Sequence, residues 1–234
     1  MANTREQILH NPIVRERSLL RNVYLWMTGG LALTGVVAYF VASSPTLLNA
    51  IFGTPGVFLL LIFAELGLVI YISSRLEKMS AQTAVFSFIG YAAINGVVLS
   101  SVFLAYTGLT ISNAFFTTAA AFAGMSLYGM TTKRSLDGMG QYLMMGLWGI
   151  IIASVINIFI GSATTYYLIS YAAVLVFLGL TAWDTQKIKS WNESYGASMD
   201  EETYVKLSIL GALKLYLDFI NIFLYLLRIF GRRN

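Results

Sequence analysis

The stretch Leu213-Lys-Leu-Tyr-Leu-Asp218-Phe-Ile-Asn-Ile-Phe-Leu-Tyr-Leu-Leu-Arg-Ile-Phe-Gly231 decides the reading of this chain. Lys214, Asp218, Asn221, Tyr225 and Arg228 follow one another at spacings of four, three, four and three residues. On a helix that period gathers them into one stripe. The residues between them are aliphatic or aromatic, so every other direction around the helix is apolar. A charge inside hydrocarbon costs at least about 2.5–3.5 kcal/mol on insertion scales, and such residues turn toward protein or a water-filled path. This segment is therefore expected to be a membrane helix placed centrally among others.

Working outward, the whole chain has the composition of a lipid-embedded protein. Of its 234 residues, 57% are hydrophobic and 11% charged, against roughly 45–50% and 25% in a soluble domain. A soluble fold has to cover its surface with something polar, and this chain lacks the means. Cysteine is absent, which removes disulfides and thiolate metal sites. The lone histidine, His10, lies in a polar N-terminal stretch and reads as a solvated residue. The net charge of +4 does not indicate a nucleic-acid partner, because the Lys and Arg residues sit at the ends of apolar runs.

The apolar runs are Asn22–Ser43, Val57–Ser74, Thr83–Ala105, Ser112–Met130, Tyr142–Ile160, Thr165–Ala182 and Leu207–Phe230. Each is about as long as a helix needs to cross roughly 30 Å of hydrocarbon, and lipid leaves helices as the only suitable form at these lengths. The expectation is an all-α integral membrane protein, a seven-transmembrane-helix bundle with the C-terminal helix central. Residues 1–21 form a tail and 22–234 a single membrane domain. Asn22–Ser43 is too long for a signal-peptide core and has no clear small-residue cleavage site, so it reads as a retained span. Small residues such as Ala120 with Gly124, and Gly146 with Gly149, are candidates for close helix packing. The longest loop is expected at about Lys187–Glu202.

Lys and Arg concentrate in the N-terminal tail, the 75–81 connection, the 131–140 connection and the 183–206 connection, while 44–55, 106–111 and 161–164 have none. The positive-inside rule then puts the N-terminus in the cytoplasm. Seven spans send Arg232 and Arg233 to the opposite side, against the rule. A re-entrant last segment would relieve the conflict, but seven full spans are the preferred reading.

Four ionisable residues within the runs or at their ends stand out as candidates: Glu65, Asp184, Lys214 and Asp218. A neutralised Lys214–Asp218 pair one turn apart would be the plainest account, but it leaves Asn221 unexplained. Asp184 at the end of the sixth run and Asp218 one turn into the seventh are expected at similar depth, where they can meet. Two carboxylates that meet in a poorly solvated place cannot both ionise cheaply, so they share a proton. Such a pair is a proton-sensitive latch: deprotonation adds repulsion that separates the helices or admits a cation. Arg75 and Lys214 are candidate counter-charges. Glu65 and Asn221 are candidates for lining an ion path.

These residues also carry a resemblance. The stretch Gly179-Leu-Thr-Ala-Trp-Asp184-Thr-Gln-Lys-Ile188 closely resembles the sixth-helix motif of the Bax inhibitor-1 (transmembrane Bax inhibitor motif) family. The segment Leu213–Gly231 looks like its C-terminal signature, and Arg21-Asn-Val-Tyr-Leu-Trp-Met-Thr is similar to its usual start. Trp183 stands where tyrosine is commoner. The resemblance implies a seven-helix fold with a central last helix and a pH-sensitive calcium leak. It implies that Asp184 and Asp218 are the pH-sensing pair, touched by a second-helix arginine best matched by Arg75. Glu65 would correspond to an acid associated with the path.

Calcium prefers six to eight oxygen ligands, and no D-x-D-x-D-G loop is present. Two or three acids favour weak, transient calcium occupancy near Asp184 and Asp218, as conduction requires. No cofactor is expected; the partners are the lipid bilayer, calcium ions and protons. The alternative is a regulatory membrane protein that contacts a membrane protease or stress-response partner and conducts nothing. An enzyme is not expected. Intramembrane aspartyl proteases share the two-aspartate pattern, but Tyr216 and Leu217 stand where their G-x-G-D motif would require glycine. A retinal pump would need an acid in the third run, and Thr83–Ala105 has none. The short connections fit a bacterial plasma (inner) membrane.

Overall fold

A computed structural model describes residues 12–54, 56–195 and 199–231. Eight α-helices follow one another among them: α1 Pro12–Ala42, α2 Pro45–Phe52, α3 Val57–Arg75, α4 Ala81–Ala105, α5 Gly108–Thr131, α6 Asp137–Ile160, α7 Ala163–Tyr195 and α8 Glu201–Phe230. A 3₁₀ turn, Leu76–Lys78, follows α3. No strand occurs among the described residues.

Seven membrane-crossing helices were expected; of the eight helices among the described residues, six are long and apolar enough to cross a membrane. Two helices account for the difference. α2 has 8 residues, far short of a bilayer, and forms where a plain loop was expected. Its signal is local: Ser44 accepts a hydrogen bond from the Leu47 amide at 3.4 Å, and Pro45 occupies the first turn, where its missing N–H costs nothing. α5 has 24 residues but carries Thr110, Ser112, Asn113, Thr117, Thr118 and Ser126, which lower its apolar character.

Helix ends also differ from the edges of the apolar runs. α1 begins by Pro12, not Asn22, and α7 continues through Gln186, Lys187 and Lys189 to Tyr195, where a loop was expected from residue 187. Backbone hydrogen bonds continue in water as readily as in lipid, so loss of hydropathy ends a membrane crossing without ending a helix. Arg232 and Arg233, with His10 and the start of the tail, lie outside the described residues.

The chain divides into two compact units. The first runs to Ala105 and adds Trp191–Tyr216; α1 and α3 pack along α4 within it. The second comprises Tyr106–Ser190 and the chain from Leu217. The polarity of the protein is inverted relative to a soluble one. Phe63, Phe116, Trp148, Ile158 and Phe159 are exposed, whereas Thr34, Asn95, Ser100, Thr118, Thr181, Asp184, Ser208 and Asp218 are buried. That is the distribution expected when the solvent is hydrocarbon.

From Thr203 to Ile229 no residue of α8 is exposed. Close packing uses only one of the glycines expected. A Cβ on Gly124 or Gly149 would meet nothing within 4 Å, and Ala120 is exposed. Gly96 is the residue that lets α4 approach α1, where an added Cβ would lie 2.7 Å from the Thr34 carbonyl oxygen. Only Gly146, of those expected, meets a neighbour, at Val176.

Candidate functional site

In the second unit, α7 is fixed closely on both sides of Asp184. At Gly129 of α5 a side chain would collide with the backbone of Ala182, and at Gly140 of α6 with the indole of Trp183. The Trp183 ring nitrogen donates to Asp137 Oδ1 at 3.3 Å, and Lys187 Nζ stands 4.9 Å from the indole centre. One turn further, Gln186 accepts from the Leu136 amide at 2.7 Å and donates to the Arg134 carbonyl at 2.8 Å. Lys189 donates to the Met130 carbonyl at 3.2 Å, satisfying an acceptor at the end of α5. The result is a rigid seat for Asp184, which is 6% exposed and lies about three turns before the end of α7.

Asp218, 4% exposed, belongs to the same unit. Its neighbour Phe219 packs edge-on against Phe115 and Phe122 of α5, with ring centres 5.7 and 5.5 Å away. Tyr225 stacks on Phe177 of α7 at 6.1 Å, which ties α8 to the helix that carries Asp184. Asn221 donates to the Leu217 carbonyl on its own helix at 2.8 Å. The two aspartates singled out in the sequence are thus both buried in one compact unit, on helices joined by aromatic packing.

Glu65 belongs to the first unit, half-buried on α3. It accepts hydrogen bonds from the Tyr91 hydroxyl, at 3.3 Å, and from the Asn95 amide, both on α4. Beside them, Thr34 of α1 donates to the Ala92 carbonyl at 2.8 Å. Its one proton is then committed, so the contact of 2.7 Å with Tyr216 is a bond donated by the tyrosine. The Tyr216 ring meets Tyr91 and Phe88 edge-on at 5.7 and 6.0 Å. Tyr91, Asn95, Thr34 and Tyr216 were not singled out in the sequence. The available signal was Tyr91 and Asn95 standing four apart in an apolar run, one face of a helix.

Two further expected residues are Arg75 and Lys214. Arg75 is exposed at the last position of α3, and Lys214 is half-buried on the part of α8 that belongs to the first unit. Among the described residues, no group of three or more His, Asp and Glu side chains is assembled to hold a metal ion.

Comparison with known proteins bears on the whole of this arrangement. The family model described as "Inhibitor of apoptosis-promoting Bax1" matches residues 16–234, which takes in α7, α8 and both buried aspartates. This chain belongs to the Bax inhibitor-1 family. Among its relatives, the inner membrane protein YbhL of Escherichia coli K12 is 47% identical over 219 residues, 93% of each chain. An uncharacterized protein of Borreliella burgdorferi is 43% identical over 224 residues, 95% of each. The uncharacterized protein RP147 of Rickettsia prowazekii is 43% identical over 218 residues, 93% of this chain and 91% of its own. Together with six apolar helices of membrane-crossing length, this makes the protein a multi-pass membrane member of the Bax inhibitor-1 family.

Proposed function

We propose that this Bax inhibitor-1 family protein is a pH-sensitive calcium leak of a bacterial plasma membrane, with Asp184 and Asp218 as the proton-operated latch. The observation that carries this reading is the burial of both aspartates, on α7 and α8, within one compact unit. Burying an acid is costly unless it is partnered or its charge is used. In this reading the pair shares a proton when closed. Loss of that proton leaves two negative charges in a poorly solvated place, and their repulsion opens a way for a cation.

Calcium then meets two carboxylates, far fewer than the six to eight oxygens of a tight site, so it passes on instead of staying. Glu65, with Tyr91 and Asn95, offers a second polar station of the same kind. Arg75 and Lys214 are the candidate counter-charges. The reading takes α5 as a seventh crossing beside the six apolar helices, keeps the N-terminus in the cytoplasm, and is one of transport, not catalysis.

The test is calcium entry into vesicles that hold only the purified full chain, followed with a fluorescent indicator across a pH series. The parent is expected to exceed empty vesicles and to vary with pH. Asp184→Asn and Asp218→Asn are each expected to flatten or displace that profile, because an amide cannot share or release the proton. Flux that never exceeds empty vesicles overturns the leak, and an unchanged profile in both variants overturns the latch.

A further inference from the structure

The second unit contains a cavity of about 610 Å³ that the latch does not use. It lies among the end of α6, the start of α7 and the end of α8, and Arg228, Ser154, Asn157, Ser162, Tyr166 and Tyr106 contribute its polar lining. Asp184 is about six turns further along α7, roughly 30 Å at 1.5 Å per residue. That distance is the hydrocarbon thickness of a bilayer, so the cavity sits at the opposite end of the helices from the latch.

Arg228 is half-buried, and its guanidinium lies over the rings of Tyr225 and Tyr166, 4.9 and 5.4 Å from their centres. A cation–π contact uses no N–H of the guanidinium as a directed hydrogen bond to oxygen. Among the described residues that line the cavity there is no carboxylate to receive those N–H donors. On the wall formed by α6, Ser154 Oγ and Asn157 Oδ1 are buried and make no hydrogen bond. They stand three residues apart and so share one face of the helix. Both oxygens are covered by protein as they stand, and a side-chain rotation is what turns each toward the cavity, where the serine hydroxyl can donate and the asparagine amide can present its N–H₂. A fixed cation with donors around it, in a space large enough for a small polar group, is a receptor for an anion.

The rim identifies the kind of anion. The wall residue Ile158 continues into Phe159 and Ile160, all of them exposed, with Phe159 at 85%. Tyr167, also on the wall, is exposed and packs edge-on against Tyr166 with ring centres 5.7 Å apart. Tyrosines and an arginine at the end of membrane helices are characteristic of headgroup depth. An apolar rim that opens on to acyl chains beside a cationic interior fits a molecule that is itself apolar at one end and anionic at the other. We infer that this cavity binds the phosphodiester headgroup of an anionic phospholipid, with Arg228 engaging the phosphate, Ser154 and Asn157 adding hydrogen bonds, and Ile158–Ile160 carrying its chains.

The test uses native mass spectrometry of the full chain in detergent, titrated with dioleoylphosphatidylglycerol. One lipid is expected to stay bound per protein at collision energies that strip the rest. Arg228→Gln keeps the length and removes the charge, and is expected to weaken retention at least about tenfold, the range for a hydrogen bond to an ion. Ser154→Ala, which barely alters packing, is expected to weaken it about fivefold. If Arg228→Gln does not fold, the serine variant decides alone. Equal retention by the parent and every folded variant overturns the site, as does equal retention of dioleoylphosphatidylcholine. Displacement of the lipid by millimolar inorganic phosphate assigns the cavity to a free anion and overturns the lipid reading.

Discussion

α3 and α8 are both long apolar helices interrupted by an acid, yet the protein uses them in opposite ways. In α8, 72% of an 18-residue apolar stretch is buried inside the protein, against 6% in α3. α3 is the more apolar of the two and the more exposed; among its residues only Ile72 is buried. In water that order would be reversed. Here hydrocarbon is the solvent, so the helix with fewer polar groups goes outside and the helix with a polar stripe goes in. The acids follow the same division. Glu65 reaches from the outer helix to Tyr91 and Asn95, whereas Asp218 is enclosed on the inner one.

The largest effect that would break this comparison is expected at Tyr216, a fully buried residue of α8 that meets Thr34, Phe88 and Tyr91. Tyr216→Ala leaves a large cavity and removes the hydrogen bond that Thr34 accepts. It is expected to cost about 3–5 kcal/mol in unfolding experiments in detergent micelles. Tyr216→Phe keeps the ring and is expected to cost only about 1 kcal/mol. A loss below about 1 kcal/mol for the alanine variant would mean that α8 is not the helix around which the first unit packs.

A smaller effect separates the starts of the two helices. α3 is preceded by Gly56, in a left-handed conformation and without a side-chain cap. Ahead of α8, Asp200 Oδ1 accepts from the Thr203 amide at 2.9 Å. Hydrogen bonds from the Thr203 side chain and then from its amide hold the Asp200 carboxyl below its ordinary range. A depressed carboxylate contributes stability above its unfolded pKa and loses it as pH falls through the folded value. The protection of the Thr203 and Tyr204 amides, taken as exchange relative to the intrinsic rate at each pH, is therefore expected to fall on acidification through that range. Asp200→Asn should keep the cap and remove the acid dependence, and Asp200→Ala should raise exchange at every pH. Equal pH dependence in the asparagine variant would show that another group controls the start of α8.

Asp184 and Asp218 were legible in the sequence because an acid in an apolar run stands out in one dimension, and the four–three spacing around Asp218 gave the helix its inner face. The helix ends were not legible. The polar residues at the start of α1 and the end of α7 leave the membrane code but keep a helical backbone. Nor could the sequence say which glycines matter. Gly124 and Gly129 lie on the same helix, but only Gly129 faces a crossing backbone, and that is set by the path of α7. The partners of Glu65 were hidden for the same reason, since Tyr91 and Asn95 become its neighbours only once α3 lies against α4.

The smallest effect bears on the outer half of the comparison. Phe63 is 70% exposed on α3, two residues before Glu65. If hydrocarbon is its surroundings, removing the ring exchanges contact with lipid for contact of lipid with itself, and no cavity remains. Phe63→Ala is then expected to change unfolding stability by no more than about 0.5 kcal/mol, like other substitutions away from a packed core. Phenylalanine in a core would cost about 3–5 kcal/mol, so the two cases are easily told apart. A loss above about 2 kcal/mol would place Phe63 against protein. The outer face of α3 would then be an interface with a second chain, and the contrast with α8 would be one between inner and outer packing surfaces, not between protein and lipid.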